Sequence, residues 1–252
     1  MYQFFVEDTD VSEQFITITG SDVNHIKNVL RMKPGEKVRI SSKSGQNFFC
    51  QLSDIGEMVV TAEILEEAAA DTELPCQIYL FQGLPKNDKM ELIVQKAVEL
   101  GAYAVIPVAM KNCVVKLDEK KADSKVKRWQ SIAESAAKQS KRSIIPKIHM
   151  PMSYREALTF AAELQVNLVP YENERGMVAT KDTIEAIRPG QSVGIFIGPE
   201  GGFDEAEIAA AKDMGMQPIS LGKRILRTET AGFTTLAILM YHLEEKNAGI
   251  FG

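Results

Sequence analysis

The alternation of hydrophobic and polar positions changes character once along the chain. Up to residue 65 it comes in short runs of period two, over 4–6, 15–19, 38–42, 47–52 and 58–65, with turn signals at Pro34-Gly35 and Ser44-Gly45. That is the pattern of a small all-β module. One helical stretch interrupts it: Ser21 or Asp22 can cap it, and Ile26, Val29 and Leu30 give an apolar stripe that leaves Lys27 and Arg31 outside, with His25 nearby. The segment 66–75, EEAAADTELP, is polar, rich in small residues and ends in proline, so the boundary falls within it. The reading is one module over 1–70 and a second over 74–252.

In the second module strands alternate with helices. A strand is expected at 77–81, then a helix capped by Asn87 or Asp88 and carrying Leu92, Ile93, Ala97 and Leu100, then a strand at 105–109. A long helix follows at 124–140, with Val126, Trp129, Ala133, Ala136 and Ala137 on one side, then a helix at 154–164 and a strand at 166–170. Strand, helix, strand implies a parallel sheet, so the class is α/β.

Two abrupt switches from strand to helix follow. The apolar run 193–197 stops at Gly198-Pro199-Glu200-Gly201-Gly202, and a helix starts at Asp204, with Glu207 three residues on to complete a capping box. A short strand at 218–221 stops at Gly222 and is followed by KRILRTET and an apolar helix from 231 to about 243. Ligands of open parallel sheets sit beyond the carboxyl ends of strands, so these loops, with 170–175, form a candidate pocket rim. The glycine spacing matches neither a dinucleotide fingerprint nor a P-loop.

Composition narrows the class. With 252 residues, 45% hydrophobic and 25% charged, the chain has the make-up of an ordinary globular protein of one large or two modest domains. Its longest apolar stretch, 231–241, falls short of the ~20 residues that cross a bilayer, and the start MYQFFVEDTD lacks the basic region of a signal peptide. Three scattered cysteines and three scattered histidines argue for a reducing cytoplasm and against a disulfide framework or a metal site. The net charge of -5 is unevenly spread: basic residues dominate 111–147, while acidic ones crowd 57–73 and 182–207.

The motifs themselves carry a resemblance. IGPEGGFDEAEI followed by SLGKRILRTETA closely resembles the last two signature segments of the RsmE family, the 16S ribosomal RNA uridine-N3 methyltransferases of the SPOUT superfamily. GLPKNDKMELIVQKAVELGAYAVIPV at 83–108, QSKRSIIPKI at 139–148 and HIKNVLRMKPGEKVRI at 25–40 resemble that family in the same order, so the likeness covers nearly the whole chain. It implies a PUA-like RNA-binding β-barrel, then a SPOUT domain whose parallel sheet ends in a trefoil knot, S-adenosylmethionine as cofactor, and a homodimer. The partner it implies is 16S rRNA or the assembled 30S subunit.

On this reading the donor is held by Pro170, Tyr171 and Glu172, by Gly198, Pro199, Gly201 and Gly202, and by Leu221, Gly222, Ile225 and Leu226, with the leucines and isoleucine as an apolar wall for adenine. The expected RNA contacts are His25, Lys27, Arg31, Lys86, Lys141 and Arg224; a plain solvated surface is the alternative for the N-terminal ones. Methyl transfer to an imide nitrogen needs alignment and removal of a proton. Arg142, marked by the resemblance as a substrate-side residue, and Arg227 are the expected catalytic or positioning groups; Glu200, Glu229 and Glu172 are candidate bases if burial raises their pKa. The last helix offers Phe233, Leu236, Leu239 and Met240 to a partner subunit or to its own core. A non-catalytic RNA-binding assembly factor is the competing function.

Overall fold

The structure, a computed structural model, describes residues 1–69, 72–174 and 176–248. It divides into two compact units, Met1–Glu73 with Ala137–Ile145, and Leu74–Ala136 with Pro146–Gly252. Residues 137–145, which a linear boundary leaves with the second module, pack with the first.

The first unit is a five-stranded, curled sheet of β1 (Tyr2–Val6), β2 (Phe15–Ile18), β3 (Lys37–Ser42), β4 (Asn47–Ile55) and β5 (Val60–Ala68) in the order β1-β3-β4-β5-β2. β1 runs parallel to β3, Tyr2 opposite Val38, and every other pairing is antiparallel. Register shifts in β4 at Phe49/Cys50 and Leu52/Asp54 bend the sheet around its core. Phe4, Ile16, Ile18, Val38, Ile40, Leu52 and Val60 fill that core, all 2% exposed or less. The helical stretch is short: α1 (Ser21–Asn24) starts after Gly20 and passes into a single π-turn, His25–Val29. Its Leu30 N–H donates to the His25 carbonyl at 2.8 Å. The wider turn rotates Val29 outward, so it is 61% exposed while Ile26 is fully buried. The expected stripe of Ile26, Val29 and Leu30 is therefore corrected at Val29.

The second unit has seven strands, β6 (Gln77–Gly83), β7 (Ala104–Ala109), β8 (Lys147–Ile148), β9 (Met152–Ser153), β10 (Val166–Pro170), β11 (Ser192–Ile197) and β12 (Gln217–Ile219). Their order is β12-β10-β11-β6-β7-β8, with β9 also on β7, and every pairing is parallel. Strands buried on both faces read as unbroken apolar runs; β7 is AVIPVA and β11 SVGIFI. The helices are α2 (Lys89–Glu99), α3 (Glu119–Ser140), α4 (Tyr154–Ala161), α5 (Met177–Ala186), α6 (Glu205–Asp213) and α7 (Thr228–Ala248). α5 carries no strong amphipathic pattern and is not anticipated by the sequence reading; α7 starts at Thr228, three residues before its expected onset. Phe81 stacks on Phe196 at 4.3 Å between β6 and β11, tying the sheet centre together. Leu236 and Leu239 of α7 are fully buried within the unit, and the helix packs on α2 and β11. Among the described residues no helix is long and apolar enough to cross a membrane.

Candidate functional site

Because β12, β10, β11 and β6 are neighbours and all parallel, their carboxyl ends share one edge. The loops after them therefore meet. They enclose a cavity of about 380 Å³, within the range of small-molecule sites. All the residues expected to hold the donor line it except Gly201, and so do Glu200, Arg224 and Arg227. Arg175, in the expected loop 170–175, lies outside the described residues. The structure adds Lys89, Ile197, Phe203, Lys223, Thr228 and Ala231 to the lining.

The glycines of the two loops serve different ends. A Cβ on Gly201 would stand 3.0 Å from the Asn112 Cβ, and one on Gly198 would stand 3.2 Å from the Phe203 ring, so these two let the loop fold onto its neighbours. Gly202 and Gly222 instead have φ of +69° and +103°, and nothing lies within 4 Å of a Cβ at Gly222.

The loop after β11 is fixed from three directions. Asn112, just past β7, donates to the carbonyls of Gly201 and Gly202, both at 3.2 Å. The Lys86 backbone N–H donates to the Glu200 carboxylate at 3.0 Å. The Thr228 hydroxyl donates to the Gly198 carbonyl at 2.6 Å and accepts from the Gln82 amide at 2.8 Å. The helix that follows starts as its sequence requires: Asp204 accepts from Ala206 N–H, Glu207 reaches back to Asp204 N–H, and Lys111 pairs with Asp204 at 2.7 Å. Neither Asn112 nor Gln82 carries a local motif, and only their position just beyond a predicted strand could have flagged them; Lys89 lies in the segment 83–108 that carries the resemblance, at the start of the helix expected after Asn87 or Asp88.

Electrostatics corrects one expectation. Burial pushes the Glu200 carboxyl up, but the Glu200 and Lys86 backbone N–H groups and the Lys89 ammonium outweigh it and hold the pKa below the usual value. The raised pKa expected of a base is absent there. Lys89 reaches Glu200 at 3.1 Å and Glu229 at 3.3 Å, and hydrogen bonding to Glu200 raises its own pKa. Among the described residues no ion pair holds Glu172, which is exposed on the cavity rim.

The remaining candidates lie elsewhere in the chain. Arg142 belongs to the first unit, is 3% exposed, and is bound to the Glu73 carboxylate, which also accepts from the Ser143 N–H at 2.8 Å. A group that grips a substrate needs an accessible head; this guanidinium is buried against Glu73, while the Arg142 backbone carbonyl accepts from the Gln3 amide in a buried polar network with Ser41, Asn47 and Ser143. His25 and Arg31 are exposed, Lys27 pairs with Glu57, and the half-buried Lys141 ammonium donates to the Met1 carbonyl at 2.9 Å. These four stand in the first unit, whereas Lys86 and Arg224 stand in the second, on the loops after β6 and β12. Among the described residues no group of three or more His, Cys, Asp or Glu could hold a metal ion.

S-adenosylmethionine needs an apolar wall, backbone groups for its polar edges and acidic company for its positive charge. Ile197, Leu221 and Leu226, the peptide groups of residues 198–202 and 221–226, and Glu172 and Glu200 supply these.

Comparison with known proteins agrees with this arrangement. A family described as RNA methyltransferase domain matches residues 72–240, and one described as RNA methyltransferase PUA domain matches 18–65. The chain is 38% identical over 250 residues to ribosomal RNA small subunit methyltransferase E of Bacillus subtilis (strain 168), covering 97% of this chain and 98% of that one. It is similar to the crystal structure of a ribosomal RNA small subunit methyltransferase E from Neisseria gonorrhoeae bound to S-adenosyl methionine, with TM-score 0.82, 33% identity and coverage of 96% and 97%. A methyltransferase from Legionella pneumophila, solved with bound SAM, matches with TM-score 0.83, 28% identity and coverage of 95% and 97%.

Proposed function

The chain belongs to the ribosomal RNA small subunit methyltransferase E family of RNA methyltransferases, and on that premise we propose that it methylates N3 of a uridine in 16S rRNA with S-adenosylmethionine as donor. The observation that carries the reading is the meeting of three segments remote in sequence, 170–172, 198–202 and 221–227, around one cavity at adjacent strand ends.

When bound, the donor would supply an electrophilic methyl group on its sulfonium: N3 would bond to the methyl carbon in line as the C–S bond breaks and a neutral thioether leaves. Ile197, Leu221 and Leu226 cover the adenine and exclude water from it. Arg224 and Arg227, exposed on the rim, grip the donor carboxylate or an RNA phosphate. Glu172 takes the N3 proton, since its carboxylate is free of a lysine while that of Glu200 is engaged. Glu200 then acts by position rather than as the base. Arg142 supports turnover by holding residues 137–145 against the barrel.

The PUA unit contributes RNA affinity through His25, Lys27, Arg31 and Lys141. The carboxyl-terminal segment is read as a trefoil knot: β12 turns at the sheet edge and α7 returns to pack on α2 and β11. A homodimer in the cytoplasm is the working assembly. Its shared face is formed by α5 and α7, where Met177 and Tyr241, 54% and 69% exposed, line a cavity of about 400 Å³.

Calorimetric titration with S-adenosylmethionine, with ATP as control, followed by mass analysis of 16S rRNA nucleosides, tests the proposal. Saturable binding of the donor alone and a methyl gain on a uridine base are expected. Donor binding without any base methylation would turn the reading toward a non-catalytic factor.

A further inference from the structure

We propose that Lys89 is a positioning residue for methyl transfer: its ammonium group ties the loop after β11 to the first turn of α7 and so sets the spacing of the donor cavity. This rests on the reading of that cavity as the donor site.

Lys89 is the first residue of α2, reached from the end of β6 by the loop 84–88. A lysine there opposes the positive end of the helix dipole, and the turn before it places Asn87 at a φ of 56°, which costs less for asparagine than for most residues with a side chain. Two local penalties two residues apart are tolerated where a tertiary contact depends on them. The contact is visible. The Lys89 ammonium stands 3.1 Å from Glu200, between Pro199 and Gly201, and 3.3 Å from Glu229, one residue beyond the Thr228 that binds the Gly198 carbonyl. Three elements that the sequence keeps far apart are joined at one nitrogen.

Among the described residues no other ion pair reaches Glu200 or Glu229. Asp88 next to it turns to Lys125 at 3.8 Å and Glu91 to Arg128 at 2.7 Å. Lys111 is engaged by Asp204, and Lys86 meets Glu200 through its backbone N–H. Glu172, Lys223, Arg224 and Arg227 line the same cavity from the loops after β10 and β12. Without Lys89, two carboxylates lose their common counterion, and the Glu229 Oε2, already buried without a hydrogen-bond donor, loses its only ion-pair partner among the described residues.

Loss of that counterion raises the affinity of Glu200 for a proton. Once protonated, it accepts less strongly from the Lys86 N–H, and the loop loosens. Donor affinity of the variant then falls with acid at a higher pH than that of the unmodified protein.

The test is titration with S-adenosylmethionine, at about pH 8 and about pH 5, of the full-length protein and of Lys89→Met, Lys89→Arg and Glu229→Gln, with circular dichroism to confirm folding. Donor binding by the unmodified protein comes first; its absence would remove the donor reading itself. Lys89→Met is expected to raise the dissociation constant about fivefold near pH 8 and further near pH 5, while Lys89→Arg stays within about twofold at both. Glu229→Gln, which keeps the lysine, is expected to give a smaller rise in the same direction and serves if Lys89→Met does not fold. Unmodified affinity in Lys89→Met or in Glu229→Gln overturns the proposal, as does an arginine variant as impaired as the methionine one.

Discussion

Replacing Thr228 with valine tests the clasp between the loop after β11 and α7 at nearly constant shape. Thr228 is 6% exposed; its hydroxyl donates to the Gly198 carbonyl at 2.6 Å and accepts from the Gln82 amide at 2.8 Å. Valine fills the same volume and makes neither bond. Gln82 is fully buried and keeps only its bond to the Gly83 carbonyl at 3.0 Å, so one amide hydrogen is stranded at a cost of ~1–3 kcal/mol. The Gly198 carbonyl is half-buried and recovers part of its loss from water, which brings the total to about 2–3 kcal/mol. The extra methyl offsets a fraction of this at most. Urea unfolding followed by tryptophan fluorescence reads the loss as a lower midpoint; Trp129, the single tryptophan, is buried in the same unit. Thr228→Ser keeps the hydroxyl and should lie within ~0.5–1 kcal/mol of the unmodified protein. Donor affinity should fall with stability in the valine variant and hold in the serine one. A valine variant as stable as the serine variant, with undiminished donor affinity, would refute the clasp.

Gly201→Ala should destabilise and weaken donor binding, because its Cβ meets Asn112 at 3.0 Å; Gly222→Ala, with open space but a φ of +103°, should cost only backbone strain of ~1 kcal/mol, and paired melting curves compare them. Glu73→Gln removes the charge that binds the buried Arg142, so the first unit should lose stability by ~1.5–3 kcal/mol while donor titration of the cavity stays unchanged; a loss of donor affinity with no loss of stability would contradict the architectural role of Arg142. Acid unfolding has a definite sign. Lys111 and the Ala206 N–H hold the Asp204 carboxyl below the ordinary aspartate value of 3.8, and hydrogen bonds and Lys89 hold that of Glu200 below the ordinary glutamate value of 4.5 against the push of burial. Both groups therefore add stability that is complete above the unfolded values and disappears as pH falls through the folded ones. Stability should be flat near neutrality and fall below about pH 4.5, with a shallower fall in Lys111→Met, as pH-resolved denaturation would show.

What the sequence determined by itself lies within a few residues of where it is read. The change from period-two runs to alternating strands and helices marked an all-β module followed by an α/β one, and the Asp204 and Glu207 spacing placed the start of α6. The two glycine loops and Pro170 were legible as strand ends, and strand ends of a parallel sheet converge. Local chemistry did not reveal partnerships across the chain. That the loops after β12, β10, β11 and β6 are neighbours follows from strand order, which periodicity leaves open. Lys89, Asn112 and Thr228 acquire their roles from groups brought beside them only by folding. Val29 matched a helical stripe in sequence, yet the π-turn swung it outward. Arg142 follows a basic helix and reads as a substrate contact, but β-strand packing enclosed it with Glu73. Periodicity, caps and glycines are short-range constraints on one backbone segment, whereas the identity of a salt-bridge or hydrogen-bond partner depends on which segments the finished sheet sets side by side.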